Sequence, residues 1–205
     1  MTKASIPLEE AKGLALSEQI GWLWSRFPIA QPITIVTTIS KEDEPNAAPK
    51  SWVTPICSNP WLFAFSSWVK SKTTSNILET KEFVVNIPSE EDIKKVLVTS
   101  QPYSAGINKI KQAGFTTAPS EKVKPPRIRE CKAHIECVLE WYKQAARTYT
   151  QAENVFLVFV GRVVAASANK EILETDFKKR LILLKQMLCF GTNKYGVIGK
   201  VKAFP

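Results

Sequence analysis

The stretch "ITIVTTISKEDEPNAAPKSWVTPICSNPWLFAFSS", residues 33–67, decides how this chain reads. Ile33 to Ser40 is β-branched almost throughout and reads as a strand, because branched side chains fit a pleated surface. The charged segment 41–46 reads as a turn. Residues 47–58 form a second strand pattern, punctuated by Pro49 and Pro55. A proline cannot donate to a ladder, so an edge or a bend is expected there. Asn59–Pro60 is a turn signal, and a third apolar run follows over 60–67. Three runs with short connections predict an antiparallel meander.

Outward from this stretch the pattern alternates between strands and short helices. Residues 82–88, 132–144 and 154–168 read as strands, the last with the strongest signal. Residues 72–80 and 108–113 read as short helices. "SEEDIKKVLVTS" (89–100) opens on Ser89 with Asp92 three residues on, a capping arrangement with acidic residues near the positive helix end. Residues 175–187 read equally as helix or strand. Leu16, Ile20, Leu23 and Trp24 fall on one helical face, so 1–27 reads as a helical extension before a main domain over 28–205. The sum is mainly β with short helices: six or more largely antiparallel strands, a barrel or curled sheet rather than a doubly wound fold.

The chain has 205 residues and four cysteines, enough length to fold without disulfide staples. Cys57, Cys131, Cys137 and Cys189 form no Cys-x-x-Cys pair and read as buried reduced thiols. No run of about 18 apolar residues appears, and the N-terminus lacks the core of a signal peptide, so no membrane partner and a cytoplasmic location are expected. Trp22, Trp24 and Phe204 read as either interface or core.

The net charge of +9 is uneven: residues 1–100 hold 10 basic and 11 acidic side chains, residues 101–205 hold 18 and 8. Lys109 to Lys132 carries seven basic residues against Glu121 and Glu130. Such a patch attracts anions, whether a phosphorylated cofactor, an acidic protein or nucleic acid, or is a solvated face. Phe115 is its only aromatic residue, which gives base stacking little to work with and weighs against nucleic acid.

Several chemistries are set aside. His134 is the only histidine and sits mid-strand, where a structural role is expected, so neither a His-rich metal site nor a Ser-His-Asp triad is expected. Neither phosphate-binding glycine motif is present. One stretch stands out, "SSWVKSKTTSNI" (66–77), with six hydroxyls in twelve residues, Lys70 and Lys72, and Trp68. A phosphate needs hydroxyls, backbone N–H groups at a helix start and a cation converging on one point. This stretch has all three if a helix begins near Thr73, with "KSWVTP" (50–55) as an apolar wall; the other reading is a polar loop and an ordinary N-cap.

The order of short motifs resembles the flavin reductase-like, FMN-binding split-barrel family, in its flavoredoxin-like branch. They are Pro45–Asn46 with Pro49, Ser51 with Pro55, Pro60, Thr73 with Asn76–Ile77, and Glu82 to Asn86. "GINKIKQAGFTTAPSEKVKPPRIRECKAHIECVLE", Gly161 and "FGTNKYGVIG" extend the likeness over about 28–200. The resemblance implies an FMN-binding split β-barrel, a homodimer, and an oxidoreductase passing hydride or electrons through FMN. The implied source is NAD(P)H, and the implied acceptor a flavin, a ferric chelate or a protein. It places the flavin ring against Lys50, Ser51, Trp52 and Val53, with Thr54 near the ribityl chain or phosphate. Ser66, Ser67 and Trp68 line the other side; Ser71, Lys72 and Thr73 hold the phosphate; Asn76 orients the loop, and Lys109 stands nearby. Catalytic side chains are not implied, since the flavin carries the chemistry. One departure matters: many relatives carry a histidine near the position of Phe156, and this chain does not. The alternative is therefore an FMN-binding electron-transfer module without its own NAD(P)H activity.

Overall fold

The computed structural model describes residues 5–7, 9–10, 23, 26, 29–101, 107–145, 156–191 and 194–202. Most of the expected N-terminal helix lies outside the described residues, as do Trp22, Trp24 and Phe204.

Seven strands form the main sheet: β1 (Thr34–Ile39), β2 (Pro45–Lys50), β3 (Val53–Ser58), β4 (Trp61–Trp68), β5 (Glu82–Ile87), β6 (Ala133–Gln144) and β7 (Phe156–Ala168). Their order is β2-β1-β5-β6-β7-β4-β3, and the neighbours are antiparallel. The two edge strands, β2 and β3, are consecutive in the chain with only Ser51 and Trp52 between them. A sheet whose outermost strands are joined by two residues must curl until its edges meet. They meet without pairing, which leaves a barrel split along one seam.

The expected meander over 33–67 therefore does not form. β2 pairs with β1, β3 pairs with β4, and the single strand expected over 47–58 is two strands at opposite edges. The physical reason is in the sequence: Pro49 and Pro55 have no N–H, and each sits on an edge strand where a second ladder is not required.

Both faces of the sheet are covered, which explains why Ile35 and Val36, on opposite faces of β1, are both fully buried. Inside the barrel Phe65, Phe83 and Phe159 pack together, with Phe65 edge-on to Phe83 at 5.2 Å and stacked on Phe159 at 5.5 Å. Gly161 of β7 makes room for them: a Cβ there would collide with the Phe83 ring and lie 2.8 Å from Cys137 Cβ. Outside the barrel, Ile35 and Ala47 meet Val96, Ile110, Phe115, Ile128 and Met187 in a second core.

Short helices fill the connections: α1 (Lys72–Thr80), α2 (Ile93–Ser100), α3 (Lys109–Gln112), α4 (Lys170–Glu174) and α5 (Phe177–Leu184). The Ser89–Asp92 capping box is present, at the start of the single 3-10 turn that leads into α2. The ambiguous segment 175–187 is both things in turn. Asp176 caps α5, Lys185 ends it at φ 44°, and Met187–Cys189 is a strand paired with Gln31–Pro32 and with Tyr195–Val197. No helix among the described residues is long and apolar enough to cross a membrane.

Candidate functional site

The seam gathers polar groups at one end of the barrel. Lys50, the last residue of β2, sends its Nζ across to Ser67 Oγ of β4 at 2.9 Å. Ser67 Oγ lies 2.9 Å from Ser71 Oγ, and Ser71 Oγ donates to Thr74 Oγ1 at 3.1 Å. Thr74 Oγ1 in turn donates to the Trp68 carbonyl at 2.8 Å, which anchors the chain of hydroxyls to β4. Ser71 is also the N-cap of α1, accepting from Thr74 N–H at 3.1 Å. The amides of Lys72 and Thr73 precede the first intrahelical acceptor, so this helix start presents free donors and a partial positive charge.

Two features show that the site is not closed within the chain. Ser66 Oγ is buried, and among the described residues it is the one buried side-chain polar atom without a partner. Leaving such a group unpaired costs about 1–3 kcal/mol, which makes Ser66 Oγ a candidate contact for a bound water or ligand. Lys50 is a cation held largely out of water: burial pushes its ammonium down to about 8, and nearby Lys109 pushes it the same way. Burial also lowers Lys109. Two lysines with eased deprotonation, beside a row of hydroxyls, form a place where an anion is stabilised.

Aromatic rings stand beside this polar end. Trp52 and Phe156 lie 5.5 Å apart, and Phe156 is opposite Trp68 in the β4–β7 ladder. Trp52 and Trp68 are both more than a third exposed, so flat apolar surface is open next to the hydroxyls.

The other residues singled out in the sequence take different places. Ser51 is half-buried at the turn between the edges. Val53 points into the barrel core, whereas Thr54 is exposed and donates to its neighbour's carbonyl. Lys72 is exposed, 3.8 Å from Glu44. Thr73 is buried and accepts from Asn46 Nδ2 at 3.3 Å, while Asn76 donates to Thr38 Oγ1 at 3.0 Å. These last two are the pins that fasten α1 to β1 and β2. Thr74, Thr38, Asn46 and Phe156 belong to the site or its support; the sequence reading placed Thr74 only within the hydroxyl-rich stretch, Asn46 only within a motif and Phe156 only by the histidine missing near it, and it gave Thr38 no site role. Thr38 and Asn46 stand opposite each other in the β1–β2 ladder and are buried, a pairing that the sequence, with 41–46 read as a turn, did not show.

The basic segment is less open than its composition suggests. Arg127 is spent on the Pro119 carbonyl and Ser167, Arg129 on the Thr117 carbonyl, and Lys132 on the Leu183 carbonyl. His134 donates Nε2–H to the Ile128 carbonyl at 2.8 Å, and burial lowers its basicity, so it is a structural residue. Cys131 and Cys137 are buried, and burial drives the Cys137 thiol up to about 12. Cys57, expected inside, is exposed because its strand β3 is an edge.

A sheet of this order, split at a seam that carries an open polar site, is an antiparallel split barrel. The profile of the family described as "Flavin reductase like domain" matches residues 24–198, and the chain belongs to that family. An uncharacterised protein of Aquifex aeolicus is 38% identical over 119 residues, covering 56% of this chain and 61% of its own. One of Methanothermobacter thermautotrophicus is 33% identical over 149 residues, covering 72% and 68%. The match to the Aquifex protein thus spans about three fifths of that relative's length. Three solved structures share the fold. Nitrilotriacetate monooxygenase component B from Bacillus cereus has a TM-score of 0.84 at 23% identity, over 100% of this chain and 99% of its own. Flavoredoxin of Desulfovibrio vulgaris has 0.75 at 20%, over 99% and 97%. An FMN-binding protein from Thermus thermophilus has 0.68 at 18%, over 86% and 91%.

Proposed function

We propose that this chain binds FMN at the seam and works as a flavin reductase-like oxidoreductase. The observation that carries the reading is the row of donors from Lys50 through Ser67 and Ser71 to the start of α1, with the orphaned Ser66 hydroxyl beside it. A phosphate near −2 charge suits that row, since charge-assisted hydrogen bonds to it are about twice as strong as neutral ones. The residues fit the rest of the group as well. Trp52 and Trp68 offer flat apolar surface to a ring, and Ser51 offers backbone groups at its edge. Bound FMN would supply hydride and electron transfer. The chain's own part is to bind and orient: Lys50 and Lys109 hold negative charge, the α1 amides fix the phosphate end, and the tryptophans exclude water from one side.

NAD(P)H is the proposed electron source, and a flavin, a ferric chelate or a protein the proposed acceptor. A specific observation favours keeping a second reading, an electron-transfer module without its own NAD(P)H activity. By the family resemblance, the histidine that many relatives carry would fall near Phe156, and the chain's one histidine is committed to the Ile128 carbonyl. A homodimer is proposed as well. Ile56 and Trp61, on the outward-facing β3–β4 hairpin, are 46% and 68% exposed, and a second copy of this chain would cover them.

The test is an anaerobic titration. Protein incubated with FMN and desalted should be yellow, with one flavin per chain. Adding NADH, then NADPH, should bleach the visible band. A colourless protein ends the cofactor reading; a yellow one that neither nucleotide bleaches ends the reductase reading and favours the electron-transfer module. Sedimentation measures the dimer, and Trp61→Glu should shift it toward monomer.

A further inference from the structure

A cavity of about 320 Å³ lies on the outer side of the barrel, between the end of β2, helix α2 and the hairpin of Met187–Cys189 with Tyr195–Val197. Its walls are mostly apolar, with Ile33 and Pro49 on one side and Ile93 and Leu97 of α2 on the other. Two lysines are among its lining residues: Lys50 from β2, whose Nζ donates to Ser67 Oγ at 2.9 Å, and the exposed Lys194 from the hairpin. Among the described residues, no carboxylate stands within ion-pair distance of either lysine. The cavity shares Lys50 and Ser51 with the segment proposed to face the flavin.

We propose that this cavity is a binding site for a small apolar monocarboxylate, held next to the cofactor segment. Its role as a substrate site rests on the FMN reading; the binding itself does not. Size gives the first argument. The volume is at the lower end of the roughly 300–1,000 Å³ typical of small-molecule pockets, room for a one- or two-ring acid and too little for a whole dinucleotide. Charge gives the second. An apolar wall with the Lys194 ammonium at its mouth favours a ligand that brings one negative charge and little other polarity. A neutral ligand would gain nothing from the Lys194 ammonium. A phosphate would need a cluster of further donors, and the lining provides only the hydroxyls of Ser51, Ser100 and Tyr195 and the thiol of Cys189, which already donates to the Gly191 carbonyl. Leu97 and Tyr195, 58% and 44% exposed, form an apolar rim through which such a molecule enters.

The experiment is isothermal titration of the full chain, with and without saturating FMN, using 2-naphthoate and its neutral isostere 2-naphthamide. The acid should bind once per chain and at least ~10-fold tighter than the amide, a factor worth about 1.4 kcal/mol. Leu97→Trp, at an exposed helical position that tolerates bulk, should fill the cavity. It should weaken naphthoate at least ~10-fold while FMN affinity stays within about twofold. Lys194→Gln should bring acid and amide to within about threefold of each other. Equal binding of acid and amide, or no saturable binding, overturns the proposal. So does a Leu97→Trp variant that loses FMN in parallel, since the cavity would then belong to the cofactor. A chain that binds naphthoate as expected but never binds FMN keeps this site and loses the FMN reading instead.

Discussion

Around Glu136 on β6, each polar group finds its partner inside the chain; around Ser66 and Lys50 at the seam, the partners run out. Glu136 is almost fully buried, yet its carboxylate accepts from the Glu121 amide at 2.9 Å and the Lys122 amide at 2.7 Å, with Arg127 Nε at 4.0 Å. Arg127 and His134 complete that region through backbone carbonyls and Ser167. The seam holds a partly buried set of groups, and among the described residues one hydroxyl there has no partner and Lys50, bonded to Ser67, has no carboxylate beside it. The first region spends its polarity on holding the 119–127 loop against the barrel. The second keeps polarity in reserve, and reserve polarity in a folded protein marks a place for a ligand.

Substitutions on the two sides should therefore split stability from binding. The largest stability effect is expected at Glu136. Glu136→Ala leaves two backbone N–H groups without their acceptor and takes a carboxylate away from Arg127, which keeps Pro119 and Ser167; it should cost about 3 kcal/mol in urea unfolding, with FMN affinity unchanged in the remaining folded protein. If FMN affinity falls as well, the two regions are not separate.

Lys50→Met should act in the opposite sense. The wild-type lysine has its folded value lowered to about 8 from 10.5, so below pH 8 the folded state carries a buried charge at a penalty. Between about 8 and 10.5 the unfolded chain holds the proton and the folded one releases it, so the stability of the FMN-free protein rises with pH across that window. Lys50→Met should remove that rise and add on the order of 2–3 kcal/mol at pH 7. The same change should weaken FMN roughly 10-fold or more. In the wild type, FMN affinity should drop as pH climbs through about 8, where the cation is lost. A variant that is both less stable and unchanged in FMN binding would make Lys50 a packing residue.

Ser66→Ala sharpens the contrast at one atom. Removing an unpartnered hydroxyl should leave the FMN-free protein as stable or up to about 1 kcal/mol more stable, and should weaken FMN by about 3- to 10-fold. The smallest effect is expected at Lys72, whose pair with Glu44 is surface-exposed. Lys72→Ala should change stability by less than about 0.5 kcal/mol and FMN affinity by about threefold, measured by thermal melts and flavin fluorescence.

Much of the barrel was legible in order but not in arrangement. The strands over 33–40, 82–88, 132–144 and 154–168 and the helices over 72–80, 89–100 and 108–113 announce themselves by branched runs, caps and spacing. These depend on neighbours a few residues away. The pairing does not. β2 and β3 are adjacent in the chain and opposite in the sheet, and only the strands arriving later, β5 to β7, fill the space between β1 and β4. The polar stretch 66–77 was visible as a candidate anion cradle, but which of its hydroxyls faces the seam was not. Thr73 and Thr74 are sequence neighbours about 100° apart on a helix, so one turns toward Asn46 and the other toward Ser71.

By itself, the sequence determined most of the strand segments outside 47–58 and 175–187, the Ser89–Asp92 cap, that hydroxyls and lysines concentrate near α1, and through its motif order the family. Only the tertiary structure decided that Lys50 reaches Ser67 from the far edge of the sheet, that Ser66 is left without a partner, and that a cavity opens behind Pro49. Local backbone preferences act through the nearest residues. The seam exists because a seven-stranded sheet, curled by its own connectivity, brings its two edges together; both edges lie within residues 45–58, but nothing in that window says that five other strands separate them in the sheet.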